Sequence, residues 1–196
     1  MKQEYPSTPT EAFETSNDGL YYGAQIAKLR ASGHLTNVPY QETTPVHVSF
    51  DIGYDDHTVI WFFQLVPGGG INVIDYYENC NEGARFYADI LKLRGYSYGT
   101  TILPHDAKSH NPAMGNSWLD VFSNHFDGGI EVIEQKDNDL FNGIQSVRSI
   151  LSRCYFDEQN CNKGVKHLES YKKEWNDRIG CYKNTPLHDE HSHIGS

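Results

Sequence analysis

The chain is 196 residues long, enough for one domain with a complete hydrophobic core. Apolar residues make up 38% and aromatic residues 13%, which excludes wholesale disorder; the longest apolar stretch, Thr58 to Pro67, is about ten residues where a bilayer span needs about 20. A formal charge of −10 excludes a generic polybasic nucleic-acid coat, but not an enzyme whose metal ions neutralise part of an acidic site.

Met1-Lys2-Gln3-Glu4 runs into Pro and Thr with no apolar signal region, so a cytosolic protein is the default. Residues 1–16 are rich in Pro, Thr and Ser and read as a connector, with at most a helical turn over Thr10 to Glu14. Residues 17–196 then form the domain. Tyr21 to Ser32 reads as a helix with Ile26 and Leu29 on one side and Gly33 as its stop. Val46 to Ile52, Thr58 to Val66 and Ile71 to Tyr77 are three strands joined by short turns, the second turn being Gly68-Gly69-Gly70, which predicts an antiparallel meander.

Glu82 to Leu93 carries Ala84, Tyr87, Ala88 and Leu91 at helical spacing. A helical crossover of this kind makes the next strand, Thr100 to Leu103, parallel to a neighbour. Helices follow over Ser117 to Phe126, Asp139 to Arg153 and Asn162 to Trp175, with a short strand at Ile130 to Ile133. The expected fold is α/β: a mixed sheet, three antiparallel strands plus parallel ones, with helices on both faces. Cys80, Cys154, Cys161 and Cys181 show neither CxxC nor zinc-ligand spacing and read as reduced thiols.

Two carboxylates stand out. Asp51 ends the run Val46-His47-Val48-Ser49-Phe50, and Asp106 follows Ile102-Leu103-Pro104-His105 at the matching end of the fourth strand. An acid at the end of a buried strand is costly unless something pairs with it. If the two strands are neighbours, both acids can bind one hard cation such as magnesium, which takes oxygen ligands and keeps waters and substrate phosphates. Taken singly, Asp51 also reads as a turn aspartate capping Gly53-Tyr54, and Asp106 as a helix N-cap ahead of Ala107-Lys108. Their joint place in a β-β-β-α-β order favours the metal site.

Asp75 is a rival. Strand alternation sets it on the same face as Val73, and the tyrosines beside it suggest a structural hydrogen-bond partner. His188, Asp189, Glu190, His191 and His193 crowd the tail, but without an HExxH arrangement they read as solvated rather than as a zinc site. Lys163, Lys166, Lys172 and Lys173, on the helix before Trp175, are candidate phosphate contacts or simply a solvated face.

The sequence also resembles a known family. Glu4-Tyr5-Pro6-Ser7-Thr8-Pro9-Thr10-Glu11-Ala12-Phe13 is similar to the segment joining the ATPase and nuclease domains of the large terminase subunit of tailed bacteriophages. Phe50-Asp51-Ile52-Gly53-Tyr54-Asp55-Asp56-His57-Thr58 resembles that family's first nuclease motif. Ile74-Asp75-Tyr76-Tyr77-Glu78 and Leu103-Pro104-His105-Asp106-Ala107 resemble the next two, and Pro186-Leu187-His188-Asp189 with Ser192-His193 the start of the last.

The resemblance implies a ribonuclease H-like fold and an endonuclease using Mg²⁺ or Mn²⁺, as two ions, to cut concatemeric DNA at the initiation and termination of genome packaging. It places metal-binding acids at Asp51 and Asp106. The family's third acid follows the Ser-His block; here the chain stops at Gly195-Ser196, so that acid is expected beyond the end, with Asp189 as the substitute within it.

No GxxxxGK loop followed by Ser or Thr occurs, so the ATPase of the same polypeptide is expected to lie outside this piece, a C-terminal domain with an added Met1. The implied partners are double-stranded DNA, held weakly by the domain alone, the ATPase domain, the portal and the small terminase subunit, in the host cytoplasm and with no membrane. The alternative reading is a non-catalytic module docking the motor on the portal or procapsid.

Overall fold

The computed structural model describes residues 18–53, 57–109, 116–126, 128–134 and 139–187. The proposed connector, 1–16, lies outside them, as do His188, Asp189 and the rest of the tail. Helix α1 (Gly23–Ala31) leads to a two-residue strand β1 (Leu35–Thr36), then β2 (Val46–Asp51), β3 (His57–Val66) and β4 (Gly70–Cys80). Helix α2 (Ala84–Arg94) crosses over to β5 (Tyr98–Leu103). A short 3-10 turn (His105–Lys108), α3 (Trp118–His125), β6 (Gly129–Val132), α4 (Asp139–Leu151), β7 (Cys154–Asp157) and α5 (Asn162–Ser170) follow, and a hairpin of β8 (Lys173–Asn176) and β9 (Cys181–Pro186) ends the described chain.

One seven-stranded sheet has the order β1-β7-β4-β3-β2-β5-β6. The meander is antiparallel, as its tight turns require: Gly68 and Gly69 sit at φ of 89° and 83°, a region open to glycine without strain. Strand β5 lies parallel to β2, with Ser49 opposite Ile102, because a helix rather than a turn connects the meander to it.

Helices cover both faces, as expected. Val59, Val73 and Tyr76 face α1, α4 and α5 in one core, which also holds Ile26, Ile144 and Leu168. Val48, Phe50, Ile60, Phe62 and Ile74 face α2 and α3 in the other, against Tyr87, Leu91, Trp118 and Phe122. No helix among the described residues is long and apolar enough to cross a membrane.

Three expectations are corrected. The last helix stops at Ser170, not Trp175, and Lys172 and Lys173 lie beyond it. Tyr171 turns extended (ψ 118°) because its ring is buried against Tyr21 and Tyr22, at centroid distances of 4.8 and 5.9 Å, and its carbonyl accepts from the Tyr21 N–H. Packing outweighs one more helical turn. Strand β7, four residues long and unforeseen, pairs parallel with β4 and with β1.

The third correction concerns Asp75. A bulge breaks the register between β3 and β4, so that Val73 pairs with Phe63 and Asp75 with Phe62. Ile74 and Asp75 therefore both point toward the α2 face, and Asp75 does not share a face with Val73. The carbonyl of Ile74, at the break in the ladder, accepts from Asn160 Nδ2 at 3.1 Å.

Candidate metal centre

Asp51 is the last residue of β2 and pairs with Val59. Alternation along β2 buries Val46, Val48 and Phe50 on the α2 side and turns His47, Ser49 and Asp51 to the α4/α5 side. There Asp51 forms part of the wall of a cavity of about 300 Å³, with Ser49, Trp61, Phe63, Ile102 and Ile150. The turn beyond it is latched: Thr58 Oγ1 lies 3.3 Å from both the Gly53 N–H and the Gly53 carbonyl oxygen. Thr58 thus satisfies the Gly53 N–H, one of the two groups that Asp51 could cap from its sequence position; Tyr54 lies outside the described residues.

Asp106 sits three residues past the end of β5, inside a 3-10 turn whose N-cap is Pro104, so it is not the N-cap that its position also suggested. Its Oδ1 is shielded from solvent and has no hydrogen-bond partner among the described residues, an expensive condition for a carboxylate oxygen. Strands β2 and β5 are adjacent and parallel, so the chain delivers both acids to the same edge of the sheet, beyond the carboxyl ends of neighbouring strands. That edge is where open α/β sheets place ligands.

A divalent cation fits this donor set. Two carboxylates at one strand end, one with an unsatisfied buried oxygen, suit a hard ion that completes its shell with water and phosphate oxygens. Among the described residues no group of three or more His, Cys, Asp or Glu side chains gathers, and Asp189 lies outside them.

The other acids have different surroundings. Asp75 is buried on the far face, ion-paired with Arg94 at 3.0 Å, and accepts from the Tyr76 N–H at 2.8 Å and the Tyr96 hydroxyl at 3.3 Å. Burial raises its carboxyl above the ordinary value in spite of these partners, since the Arg94 guanidinium is itself partly hydrated. It is the structural hydrogen-bond partner that its neighbouring tyrosines suggested. Asp157, at the end of β7, accepts from the backbone N–H of Val38 (3.0 Å), Gln159 (3.1 Å) and Asn160 (2.8 Å), tying the loop before β2 to the turn before α5.

Glu78 stands in the sequence only within the block Ile74-Asp75-Tyr76-Tyr77-Glu78, with no role of its own. It lies opposite Val59 on β4, in one row with Asp51 across β3. Its side chain is 5% exposed, yet one oxygen meets Lys163 Nζ and the other the Tyr76 hydroxyl and His167 Nε2, the last at 3.3 Å. Burial would raise this carboxyl; hydrogen bonds from Lys163 and Tyr76 and the positive charges nearby outweigh it and hold it below the usual range. The sequence signal was available: Lys163 and His167 are spaced i, i+4 on one helix face.

The order β4-β3-β2-β5-β6, three antiparallel strands followed by two parallel ones with helices on both faces, is a ribonuclease H-like fold. No family model matches the chain, and no curated protein does. Among solved structures it is similar to the large terminase of a thermophilic bacteriophage in complex with ATP-γ-S (TM-score 0.64, 17% identity), covering 91% of this chain and 44% of that one. It is also similar to the large-terminase nuclease domain of bacteriophage SPP1 with bound Mn (0.55, 13%; 91% and 92% covered) and to that of thermophilic phage G20c with bound magnesium (0.57, 10%; 90% and 96%). The chain thus spans less than half of the ATP-γ-S-bound terminase and nearly all of the isolated nuclease domains. At these identities the likeness is one of fold.

Proposed function

We propose that this chain is the metal-dependent endonuclease domain of a viral DNA-packaging terminase, cutting concatemeric double-stranded DNA when packaging starts and ends. The observation that carries the reading is the pair of strand-end acids on adjacent parallel strands, with the orphaned Asp106 Oδ1, in a fold shared with manganese- and magnesium-bound nuclease domains. Asp51 and Asp106 would hold the ions, with Asp189 as the candidate third ligand.

A bound pair of Mg²⁺ or Mn²⁺ ions supplies an activated water and neutralises charge on the leaving oxygen. The protein's part is positional. The Thr58 latch fixes the backbone just beyond Asp51, and the β5–3-10 junction fixes Asp106. The same-chain ATPase domain, the portal and the small subunit are the partners this reading implies, and a domain with a charge of −10 fits weak DNA binding on its own.

The test is nicking of supercoiled plasmid with Mn²⁺, paired with a thermal-shift titration of the metal. Asp51→Asn should abolish nicking and the metal-dependent rise in Tm, with an unchanged Tm in EDTA. Nicking at the parent's rate in Asp51→Asn removes that residue from the chemistry.

A further inference from the structure

The polar cluster around Glu78 has no role in the two-acid site. Its carboxylate is nearly sealed, at 5% exposed, while the Lys163 side chain bound to it is 64% exposed. Helix α5 brings Lys163 there because Gly164 lets the helix approach closely: a Cβ at this position would stand 2.4 Å from the Trp61 ring and 2.5 Å from the Tyr76 ring. Lys163 and His167 flank Gly164 on the sheet-facing side and share the two oxygens of Glu78.

We propose that Lys163, held by buried Glu78 and supported by His167, is a phosphate-contact site that seats the DNA backbone beside the cleavage centre. This rests on the nuclease reading and extends it to substrate positioning. A ligand arriving from solvent meets the cation, since the Lys163 side chain is 64% exposed over a carboxylate only 5% exposed. A single carboxylate is shared between an ammonium and an imidazole, and its own oxygens are turned inward, away from a ligand arriving from solvent.

The place also fits. Glu78, Val59 and Asp51 are register partners in one row, so Glu78 and Asp51 lie two strand spacings apart, about 10 Å. That is roughly three phosphates of axial rise along one strand of duplex DNA. Lys166, by contrast, lines a separate cleft with Arg30 and Glu169. Lys172 and Lys173 lie beyond the helix end. Of the four lysines singled out in the sequence, the fold ties Lys163 to the row of Asp51.

The experiment is fluorescence anisotropy of a labelled duplex of about 20 bp in EDTA, titrated with NaCl, on the 196-residue chain. Lys163→Met should weaken binding several-fold and make the log K against log salt slope shallower by about 0.9, one phosphate's worth. Lys163→Arg should keep both, and Lys166→Met should change neither. In plasmid nicking, Lys163→Met should raise KM with kcat nearly unchanged.

Equal losses in Lys163→Met and Lys166→Met, or no loss in either, overturn the proposal, since bulk charge alone then accounts for binding. If the parent nicks DNA in an Asp51-dependent way while Lys163→Met binds normally, this inference falls and the nuclease reading stands. If the parent neither binds nor cuts duplex DNA, both fall. A Lys163→Met chain that melts early is judged on Lys163→Arg and Lys166→Met at matched Tm: loss of the slope in Lys163→Arg also refutes the contact.

Discussion

Gly164 offers the sharpest check on how α5 sits, because glycine-to-alanine changes in two helices of this chain should have opposite signs. In a helix interior, Ala is better than Gly by up to about 1 kcal/mol. At Gly143 in α4 nothing among the described residues lies within 4 Å of an added Cβ, so Gly143→Ala should realise that gain, a rise in Tm of roughly 2–4 °C for a domain this size.

At Gly164 the same methyl would stand 2.4 Å from Trp61 Cη2 and 2.5 Å from Tyr76 Cδ2. Neither ring can move cheaply. Trp61 packs on Tyr76 at 4.6 Å and on Phe156 at 6.0 Å, and the Tyr76 hydroxyl is bound to Glu78. Overpacking of this kind costs about 1–3 kcal/mol, and contacts this short belong at the upper end. After the helix-propensity gain, a net loss of roughly 1–2 kcal/mol remains, a fall in Tm of roughly 2–8 °C. Thermal melts of the two variants beside the parent decide the matter. A Gly164→Ala protein as stable as Gly143→Ala would mean that α5 does not lie against Trp61 and Tyr76, and the seating of Lys163 on Glu78 would go with it.

Two further outcomes follow from the buried polar groups. Asp75, whose carboxyl burial raises, binds its proton more readily folded than unfolded. Its contribution is therefore present below the ordinary aspartate value and is lost as pH rises through the window up to the raised one. Asp75→Asn should flatten that part of the Tm–pH profile, and an unchanged slope would show that Arg94 and Tyr96 compensate the burial fully. Thr58→Val keeps the shape of a side chain that is 1% exposed but leaves the Gly53 N–H and carbonyl without their partner. The expected cost is about 1–3 kcal/mol, together with a drop in nicking rate measured well below the new Tm. Lost stability with the parent's nicking rate would make the latch purely structural.

Much of this architecture could be read from residue order. The apolar run from Val46 to Ile52 located β2 with Asp51 at its end, and the helix between β4 and β5 made β5 parallel to a neighbour. That β5 lies beside β2, which sets both acids at the same end of the sheet, was open in the sequence and comes from the fold. What escaped was tertiary in origin. The end of α5 is set by three tyrosines meeting from distant parts of the chain, and Tyr171 falls on the same helical spacing as Val165 and Leu168, so local pattern favoured continuation. Strand β7 has four residues, too few for a period to declare itself, and exists because β4 offers it a parallel edge. Glu78 looked unremarkable until Lys163 and His167 arrived across the fold.

The bulge at Ile74 shows how one backbone irregularity can sort acids by task. In an unbroken β4, alternation from Val73 would turn Asp75 and Tyr77 toward the face of Asp51 and send Glu78 to the opposite side. The extra residue reverses this from Asp75 onward. Asp75 then meets Arg94 and Tyr96 beside α2, where a carboxylate has partners waiting, while Tyr76 and Glu78 swing to the α5 face and into line with Asp51. Without the bulge, Glu78 would have turned away from Lys163 and His167, because α5 packs on the other side of the sheet. The register break thus does two things at once: it removes a competing acid from the neighbourhood of the proposed metal site and gives that neighbourhood an anchored cation instead. Neither result depends on the identity of Ile74, only on the presence of one residue more than β3 can pair, which is why composition and periodicity gave no hint of it.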